Sequence, residues 1–269
     1  MVDIGGQRPP RRFGIRSVNQ GCAPLIFAPI FVFDESPSFL LNSGIRIGGN
    51  EFPPVLLPDS RSRVQTPIPG LKTRLAITGG VACGKTTVGA MLRRRGIPVC
   101  DADEVAHRSM EPGTGVYRAV VREFGSGVLD GEGRIERSRL GAIVFADEAA
   151  RLRLNAMVHP AVLAYLRDWV KEQEEENGWI AAIVPLLYEI GAEAEWDIVL
   201  CVTTTVNIQR RRLADRGVSG DAADRRIAAQ MSVAEKARRA DIVIMNRGTM
   251  DLLEAQIEWT LRHLRSNRT

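Results

Sequence analysis

The sequence is short of cysteine, of lysine and of long apolar runs, and each shortage limits what the protein can be. Four scattered cysteines form no metal-type cluster, so we expect reduced thiols in a cytoplasmic protein. No apolar stretch approaches the roughly 20 residues needed to span a bilayer. The best candidate, residues 23–33, follows several arginines as a signal peptide would, but no small-residue cleavage site comes after it. We therefore expect neither a membrane partner nor a cleaved signal.

The net charge of the chain is also small. The formal net charge of +4 over 269 residues is only weak support for nucleic-acid binding, and we expect no nucleic-acid partner. Lysine supplies just four of the 36 basic residues, at positions 72, 85, 171 and 236. A lysine inside a motif is therefore conspicuous. The rest of the composition, 45% hydrophobic and 25% charged, is that of an ordinary globular protein.

Proline is scarce except near the amino terminus, because ten of the fourteen prolines lie in residues 1–70. This segment shows neither the 3.6-residue period of a helix nor the 2-residue period of a strand. It cannot bury enough apolar area to offset its ordering entropy, so we expect residues 1–70 to be a disordered extension. A regulatory tail, a targeting segment and translated sequence upstream of a misplaced start codon all remain open. The last of these fits a featureless segment best.

From residue 71 onward, short apolar runs alternate with helical patterns. The apolar runs predict five strands, at residues 75–77, 97–100, 180–184, 198–202 and 242–245. Strands separated by helices imply an α/β fold of three layers around a parallel sheet. The stretch from about 104 to 178 is too long for a simple crossover. It predicts an inserted helical subdomain over the carboxyl ends of the strands, where ligands bind in such sheets.

A phosphate-loop motif follows the first predicted strand: a glycine, four residues, and then Gly84, Lys85 and Thr86. Glycines let several backbone N–H groups face one phosphate, the lysine adds a positive charge, and the threonine hydroxyl suits Mg²⁺. A helical pattern after the loop directs its positive dipole end at the same anion. We therefore expect a nucleoside triphosphate to bind at Gly79, Gly80, Val81, Ala82, Cys83, Gly84, Lys85, Thr86 and Thr87.

Two carboxylates, Asp101 and Asp103, follow the second predicted strand at the sheet edge from which the phosphate loop emerges. A carboxylate there can hold the metal or accept a proton from an attacking hydroxyl. Asp101 is also placed to cap the helix that begins after it, so both interpretations stay open for that residue. At least one of the pair is predicted to be functional.

Arginines at positions 210–212 and 216 cluster after the fourth predicted strand. Small-molecule kinases often carry such arginines on a mobile lid that closes over the transferred group and excludes water. A basic, solvent-facing surface explains the same pattern in a chain rich in arginine. A lone histidine such as His159 is more often structural than functional, and Pro185 and Leu186 either line a pocket or simply end a strand.

The other classes of phosphate-loop protein carry motifs that this sequence lacks. Regulatory GTPases select guanine with Asn-Lys-x-Asp or its Thr variant, and none of the four lysines has an aspartate two positions later. Motor and remodelling ATPases end a strand with Asp-Glu, which the strands ending at residues 184 and 202 do not. A carboxylate pair and a basic lid indicate instead a kinase that acts on a small hydroxyl-bearing molecule.

Residues 74–248 resemble the dephospho-coenzyme A kinase family. The similarity is carried by TGGVACGKTT at 78–87, DAD at 101–103 with Ala106 after it, VHP at 158–160, VPLLYE at 184–189, Gln230, and AD at 240–241 leading into IMNRG at 244–248. The loop glycines are generic. The Asp-Ala-Asp, His-Pro and Val-Pro-Leu-Leu elements are far more specific in this order and spacing.

The resemblance implies ATP-dependent phosphorylation of the ribose 3′-hydroxyl of dephospho-coenzyme A, with Mg²⁺, to give coenzyme A and ADP. By the same resemblance, Asp103 is the general base, Lys85 contacts the phosphates and Thr86 holds the metal. Residues 71–269 would form the kinase domain, with the inserted helices as a substrate-binding subdomain and residues from about 207 to 232 as the lid. We expect a monomer or a weak oligomer.

The same resemblance assigns further contacts. Asn246 is expected at ATP. The acceptor is expected to contact Asp101, His159, Pro185 and Leu186.

Two departures from the family pattern matter. Ala82-Cys83 replaces glycine-serine or alanine-serine, which the loop should tolerate because only backbone faces the phosphate there. The usual Arg-Asp-Gly of the lid is Asp215-Arg216-Gly217 in this chain, so either Arg216 or Arg211 is the catalytic lid arginine. The alternatives are another small-alcohol kinase such as shikimate kinase, whose characteristic triple glycine is missing here, and a nucleotide-binding regulator without catalysis.

Overall fold

A parallel sheet of five strands lies at the centre of the computed structural model, which describes residues 45–47, 50–52, 72–176 and 178–266. Its five strands are β3 (Thr73–Gly79), β4 (Val99–Asp101), β5 (Trp179–Ile183), β6 (Ile198–Thr203) and β7 (Ile242–Met245). A separate pair is formed by β1 (Ile45–Ile47) and β2 (Asn50–Phe52). The central sheet has the order β4-β5-β3-β6-β7, and all of its neighbours are parallel. The predicted α/β fold is confirmed.

Helices cover both faces of this sheet. They are α1 (Lys85–Arg93), α2 (Ala102–Ser109), α3 (Gly115–Phe124), α4 (Arg137–Ala146), α5 (Glu148–Glu176), α6 (Val206–Ala214), α7 (Asp221–Ala228), α8 (Val233–Arg239) and α9 (Met250–Ser266). On one face, Leu75 and Ile77 of β3 pack in a core with residues of α1 and α9. On the other face, Ala76 packs with residues of α2 and α5. Successive residues of a strand point to opposite faces, so this alternation produces the three layers.

Strand β3 lies in the middle of the sheet, between β5 and β6. Thr73 is paired with Trp179 on one side, and Leu75 is paired with Ile198 on the other. Residues 75–79 of this strand are all buried, as expected for a parallel strand covered on both faces. The loop after β3 therefore starts from a well-fixed position at the carboxyl edge of the sheet.

The second predicted strand is confirmed, but it begins at Val99 rather than at Ile97. Pro98 has no N–H group to donate. Its carbonyl accepts a hydrogen bond of 2.9 Å from the Ala181 N–H instead, which brings the chain into the sheet. The strand then continues to Asp101, one residue further than predicted.

Helices α2–α5 all lie between β4 and β5, and apart from the first two residues of α2 they fall within the residues predicted to form an inserted subdomain. This part has a small core of its own around Val120, Val128 and Leu140. Helix α5 is 29 residues long and contains Pro160. Among the residues that the structure describes, no helix is both long enough and apolar enough to cross a membrane.

Two short strands fall within the segment predicted to be disordered. β1 and β2 form an antiparallel pair in which Ile45 is opposite Phe52, and β1 contacts α9. The rest of residues 1–70 lies outside the described part of the chain. The division into an extension over residues 1–70 and a kinase domain over residues 71–269 stays a prediction.

Candidate active site

The phosphate loop connects β3 to α1 and has a backbone that requires glycine at two positions. Gly79 has a φ of +139°, and a Cβ atom there would lie 2.2 Å from the Val202 carbonyl oxygen. Gly84 has a φ of +99°, and a Cβ atom there would lie 2.1 Å from the side-chain Nδ2 of Asn246. The loop can therefore curl against β6 and Asn246 only because both residues lack a side chain.

Ala82 adopts the same left-handed region without being a glycine, with a φ of +57°. An alanine in this region costs about 1–2 kcal/mol. Its methyl group is buried with Leu213 of α6 and Ala223 of α7, so the loop contacts the predicted lid there. The neighbouring Cys83 side chain is fully buried in the core.

Lys85 is the first residue of α1, and its side chain folds back over the loop. The ammonium group donates to the carbonyls of Gly79, at 3.1 Å, and Gly80, at 2.9 Å. Burial lowers the pKa of Lys85 from its ordinary value, because desolvation disfavours the charged form. A bound phosphate would oppose this effect. The helix N-terminus and the half-buried cation together suit the binding of an anion, as predicted for the phosphate loop.

Thr86 fits the predicted metal site. Its side chain is exposed at the start of α1, and the structure records no hydrogen bond from its hydroxyl group within the described residues. Those residues contain no cluster of three or more His, Cys, Asp or Glu side chains that could hold a metal ion. The donor set therefore suits an ion such as Mg²⁺, which keeps most of its ligands as water and substrate phosphate.

The two carboxylates after β4 have different environments. Asp101 is 8% exposed and caps α2, because one of its carboxylate oxygens accepts the Asp103 N–H at 3.0 Å. Burial raises the pKa of Asp101, and this hydrogen bond opposes that rise. Asp103 is exposed at the same helix end, and its negative charge partly offsets the lowering of the Lys85 pKa by burial. Asp103 is therefore close enough to Lys85 to act on its charge, and within the described residues the structure records no hydrogen bond to the Asp103 carboxylate.

A cavity of about 220 Å³ lies beside Asp103, between α2, α5 and the end of β5. It is lined by His159, Pro185 and Leu186 together with apolar residues such as Val162. The structure thus brings together four of the predicted site residues. Burial lowers the pKa of His159, which favours a neutral imidazole at the cavity wall.

Helix α6 contacts the phosphate loop through Gln209, for which the sequence carries no signal, and through Arg212, one of the four clustered arginines but not one of the two predicted to be catalytic. Gln209 donates to the Val81 carbonyl at 2.7 Å. Arg212 donates to the Ala82 carbonyl at 3.1 Å and to the Asn246 side-chain oxygen at 3.2 Å. Asn246 in turn donates to the Cys83 carbonyl at 2.8 Å. These contacts join the predicted lid, the loop and the end of β7.

The two arginines selected for catalysis lie elsewhere on the same part of the chain. Arg211 and Arg216 are both exposed, and the structure records no ion pair for either within the described residues. Helical spacing could have identified Arg212, since it follows the buried Gln209 by three residues and so shares its face. The catalytic roles of Arg211 and Arg216 stay predictions.

Comparison with known proteins gives a consistent result. Residues 73–251 match the model of the dephospho-CoA kinase family. The dephospho-CoA kinase of Symbiobacterium thermophilum is 47% identical over 186 residues, covering 68% of this chain and 78% of the relative. That of Anaeromyxobacter dehalogenans is 44% identical over 196 residues, covering 72% of this chain and 93% of the relative.

Solved structures show the same fold. A crystal structure from Thermus thermophilus has a TM-score of 0.62 and 33% identity, covering 72% of this chain and 98% of that one. Dephospho-CoA kinase from Campylobacter jejuni has a TM-score of 0.56 and 24% identity, covering 74% of this chain and all of that one, and shows the fold alone. Since the family model matches well over half of the residues, this chain belongs to the dephospho-CoA kinase family.

Proposed function

We propose that this chain transfers the γ-phosphoryl group of ATP to the ribose 3′-hydroxyl of dephospho-coenzyme A, giving coenzyme A and ADP. The match of residues 73–251 to the family model carries the proposal. The geometry supports it, because a complete phosphate loop and a free carboxylate, Asp103, lie at one edge of the sheet.

The residues divide the reaction between them. The loop backbone and Lys85 bind the β- and γ-phosphates and offset the charge that spreads over the transferred group. Mg²⁺, when bound at Thr86, neutralises phosphate charge. Asp103 accepts a hydrogen bond from the 3′-hydroxyl, orients its oxygen in line with the γ-phosphorus and takes the proton as the new P–O bond forms.

The cavity beside Asp103 binds part of the acceptor. Ligand sites for drug-sized molecules typically measure about 300–1,000 Å³. A cavity of about 220 Å³ is too small for the whole of dephospho-coenzyme A, so the remainder lies along the surface outside it. The neutral His159 donates or accepts a hydrogen bond at the wall without adding charge next to Asp103.

An acceptor comparison tests the proposal. ADP release from ATP is measured with dephospho-coenzyme A, shikimate, gluconate or no acceptor. We expect turnover with dephospho-coenzyme A alone, and with Mg²⁺ required. Turnover with shikimate or gluconate instead would identify another small-alcohol kinase, and nucleotide binding without turnover would favour a regulator.

We also propose that the protein acts in the cytoplasm as a monomer or a weak oligomer. The thiols of Cys83, Cys100 and Cys201 are free and buried, which supports a reducing compartment. Light scattering at several protein concentrations measures the oligomeric state, and we expect a mass close to 29.6 kDa at low concentration that is constant or rises only at high concentration.

A further inference from the structure

Lys236 is a fully buried lysine, with none of its side chain exposed. Lysine is almost never fully buried unless it is paired, because removing its charge from water is costly. It lies in α8, directly after the predicted lid, and the mechanism described above does not use it. Its burial therefore needs an explanation.

The Lys236 ammonium group joins α8 to the segment that follows β5. It donates to the Pro185 carbonyl at 2.5 Å and pairs with the Glu189 carboxylate at 2.8 Å. The same Glu189 oxygen accepts the backbone N–H of Met231 at 2.9 Å. One ion pair thus fixes both the segment after β5 and the turn that enters α8.

The segment held by Lys236 is the wall of the acceptor cavity. Pro185 and Leu186 line that cavity next to Asp103. The Pro185 carbonyl also accepts the Thr78 hydroxyl at 3.4 Å, and Thr78 immediately precedes the phosphate loop. The Pro185 carbonyl therefore links the wall to the loop, and of its two hydrogen-bond donors Lys236 is closer than Thr78.

We infer that Lys236 and Glu189 position the acceptor wall of the active site, so that the acceptor hydroxyl meets the phosphate loop at the correct distance. Lys236 acts through Pro185 and not on substrate, since it has no exposed surface. Helix α6 contacts the phosphate loop through Gln209 and Arg212, neither of which touches this pair, so we expect the pair to affect acceptor binding more than ATP binding. The inference rests on the proposed function.

Steady-state kinetics of three variants test the inference. Lys236→Met and Glu189→Gln each remove the ion pair, and Lys171→Met removes an exposed lysine from α5 as a matched control. We expect the KM for dephospho-coenzyme A to rise about tenfold in both test variants, which is the scale of one hydrogen bond to a charged group. The KM for ATP should stay within about threefold of the wild-type value. The double variant should have a KM for dephospho-coenzyme A no higher than that of the more impaired single variant, because both changes remove the same ion pair. Should Lys236→Met fail to fold, the partly exposed Glu189 site carries the test.

Equal rises in the two KM values, or no difference from Lys171→Met, would overturn the inference. A merely structural role would lower the yield of folded enzyme and leave both KM values unchanged. Hydrogen exchange of residues 184–190 gives a readout that does not need turnover, because the Leu187 and Ile190 amides are hydrogen-bonded within this segment. Faster exchange there in Lys236→Met, with β6 unchanged, supports the positioning role even if dephospho-coenzyme A is not the substrate. Unchanged exchange contradicts it.

Discussion

At the residue scale, the two carboxylates of the site differ in whether a hydrogen bond within the protein already uses one of their oxygens. Asp101 uses an oxygen to cap α2, whereas Asp103, two residues later, presents its carboxylate to solvent near Lys85. A group that accepts a proton from substrate must have a free oxygen within reach of it. The role of Asp103 as the base stays a prediction, and the cap formed by Asp101 agrees with the interpretation that Asp101 mainly supports the helix.

Replacing Asp103 tests this division. Asp103→Asn keeps the shape of the side chain but cannot accept a proton, so kcat should fall by roughly 10²- to 10⁴-fold. ATP binding should persist, because the phosphates are bound by the loop and Lys85. Asp101→Asn is the matched variant and should cost less, since an asparagine still caps a helix. An inactive Asp101 variant beside an active Asp103 variant would reverse the two roles.

Ala82 offers a second test at this scale. Changing it to glycine relieves about 1–2 kcal/mol of left-handed strain, but it removes a buried methyl group worth about 0.8 kcal/mol. It also raises the conformational entropy of the unfolded chain, which lowers the free energy of unfolding by roughly 0.4–1 kcal/mol. We expect the free energy of unfolding of Ala82→Gly to stay within about 1 kcal/mol of the wild type. Ala234→Gly, at an exposed position of α8, should lose about 1 kcal/mol, and a loss in Ala82→Gly clearly larger than that of Ala234→Gly would show that φ imposes no strain.

Residue roles were harder to predict from sequence than the residues themselves. The loop motif located Lys85 and Thr86 because its spacing is fixed by phosphate geometry. Arg212 cannot be distinguished from Arg210 and Arg211 by sequence, because three consecutive arginines look alike until the helix face is known. Lys236 was missed for a different reason: a lysine is expected at the surface, and its burial depends on Glu189, which is distant in sequence.

At the element scale, the predicted lid and the inserted subdomain touch each other. The Arg226 guanidinium of α7 lies 5.1 Å from the centre of the Phe145 ring of α4. Helices α6 and α7 also reach the phosphate loop through Gln209 and the cluster around Ala82. The predicted lid therefore contacts both the phosphate loop and the inserted subdomain, and closure of such a lid excludes water from a bound phosphate.

Removing the Phe145 ring should weaken this closure. A cation–π contact at an exposed site is worth about 0.5–1 kcal/mol, so Phe145→Ala should shift a closed–open equilibrium by roughly two- to fivefold. We expect the KM values of both substrates to rise by that factor, and trypsin to cleave the lid arginines faster. Leu152→Ala removes an exposed apolar side chain of α5 and is the control. Indistinguishable behaviour of the two variants would exclude a role for the Arg226 contact.

Strand and helix positions were predictable because burial imposes a period. Val162 and Leu166 in α5 and Ile257 and Leu261 in α9 recur at helical spacing, and all four are buried as that spacing predicts. Boundaries were less predictable, since the start of β4 depends on Pro98 and its bond to β5. The phosphate loop's contact with α6 joins residues more than a hundred positions apart, and no local pattern reports it.

At the scale of the whole molecule, the core of the sheet is built from residues after position 72. A chain that begins at residue 72 should therefore fold and turn over like the full chain, with Tm changed by no more than about 4–5 °C through the lost contact of β1 with α9. Activity and thermal unfolding of the shortened chain measure this.

A chain that ends at residue 249 is the contrasting variant, since it loses the buried α9 residues Leu253 and Ile257 and should not fold. Insoluble or inactive protein after removal of residues 1–71 would instead make the amino-terminal segment part of the domain.

The order of the sheet also constrains how the protein is made. Strand β3 gains its first partner, β5, roughly a hundred residues later, and its second partner, β6, later still. At about 5–20 residues per second, synthesis of the intervening helices occupies on the order of 5–20 s. During that time the nascent phosphate loop has neither Val202 nor Asn246 against which to curl. The hydrogen bond from Asn246 to the Cys83 carbonyl can therefore form only after the last strand has left the ribosome, so the loop reaches its complete set of contacts at the end of synthesis.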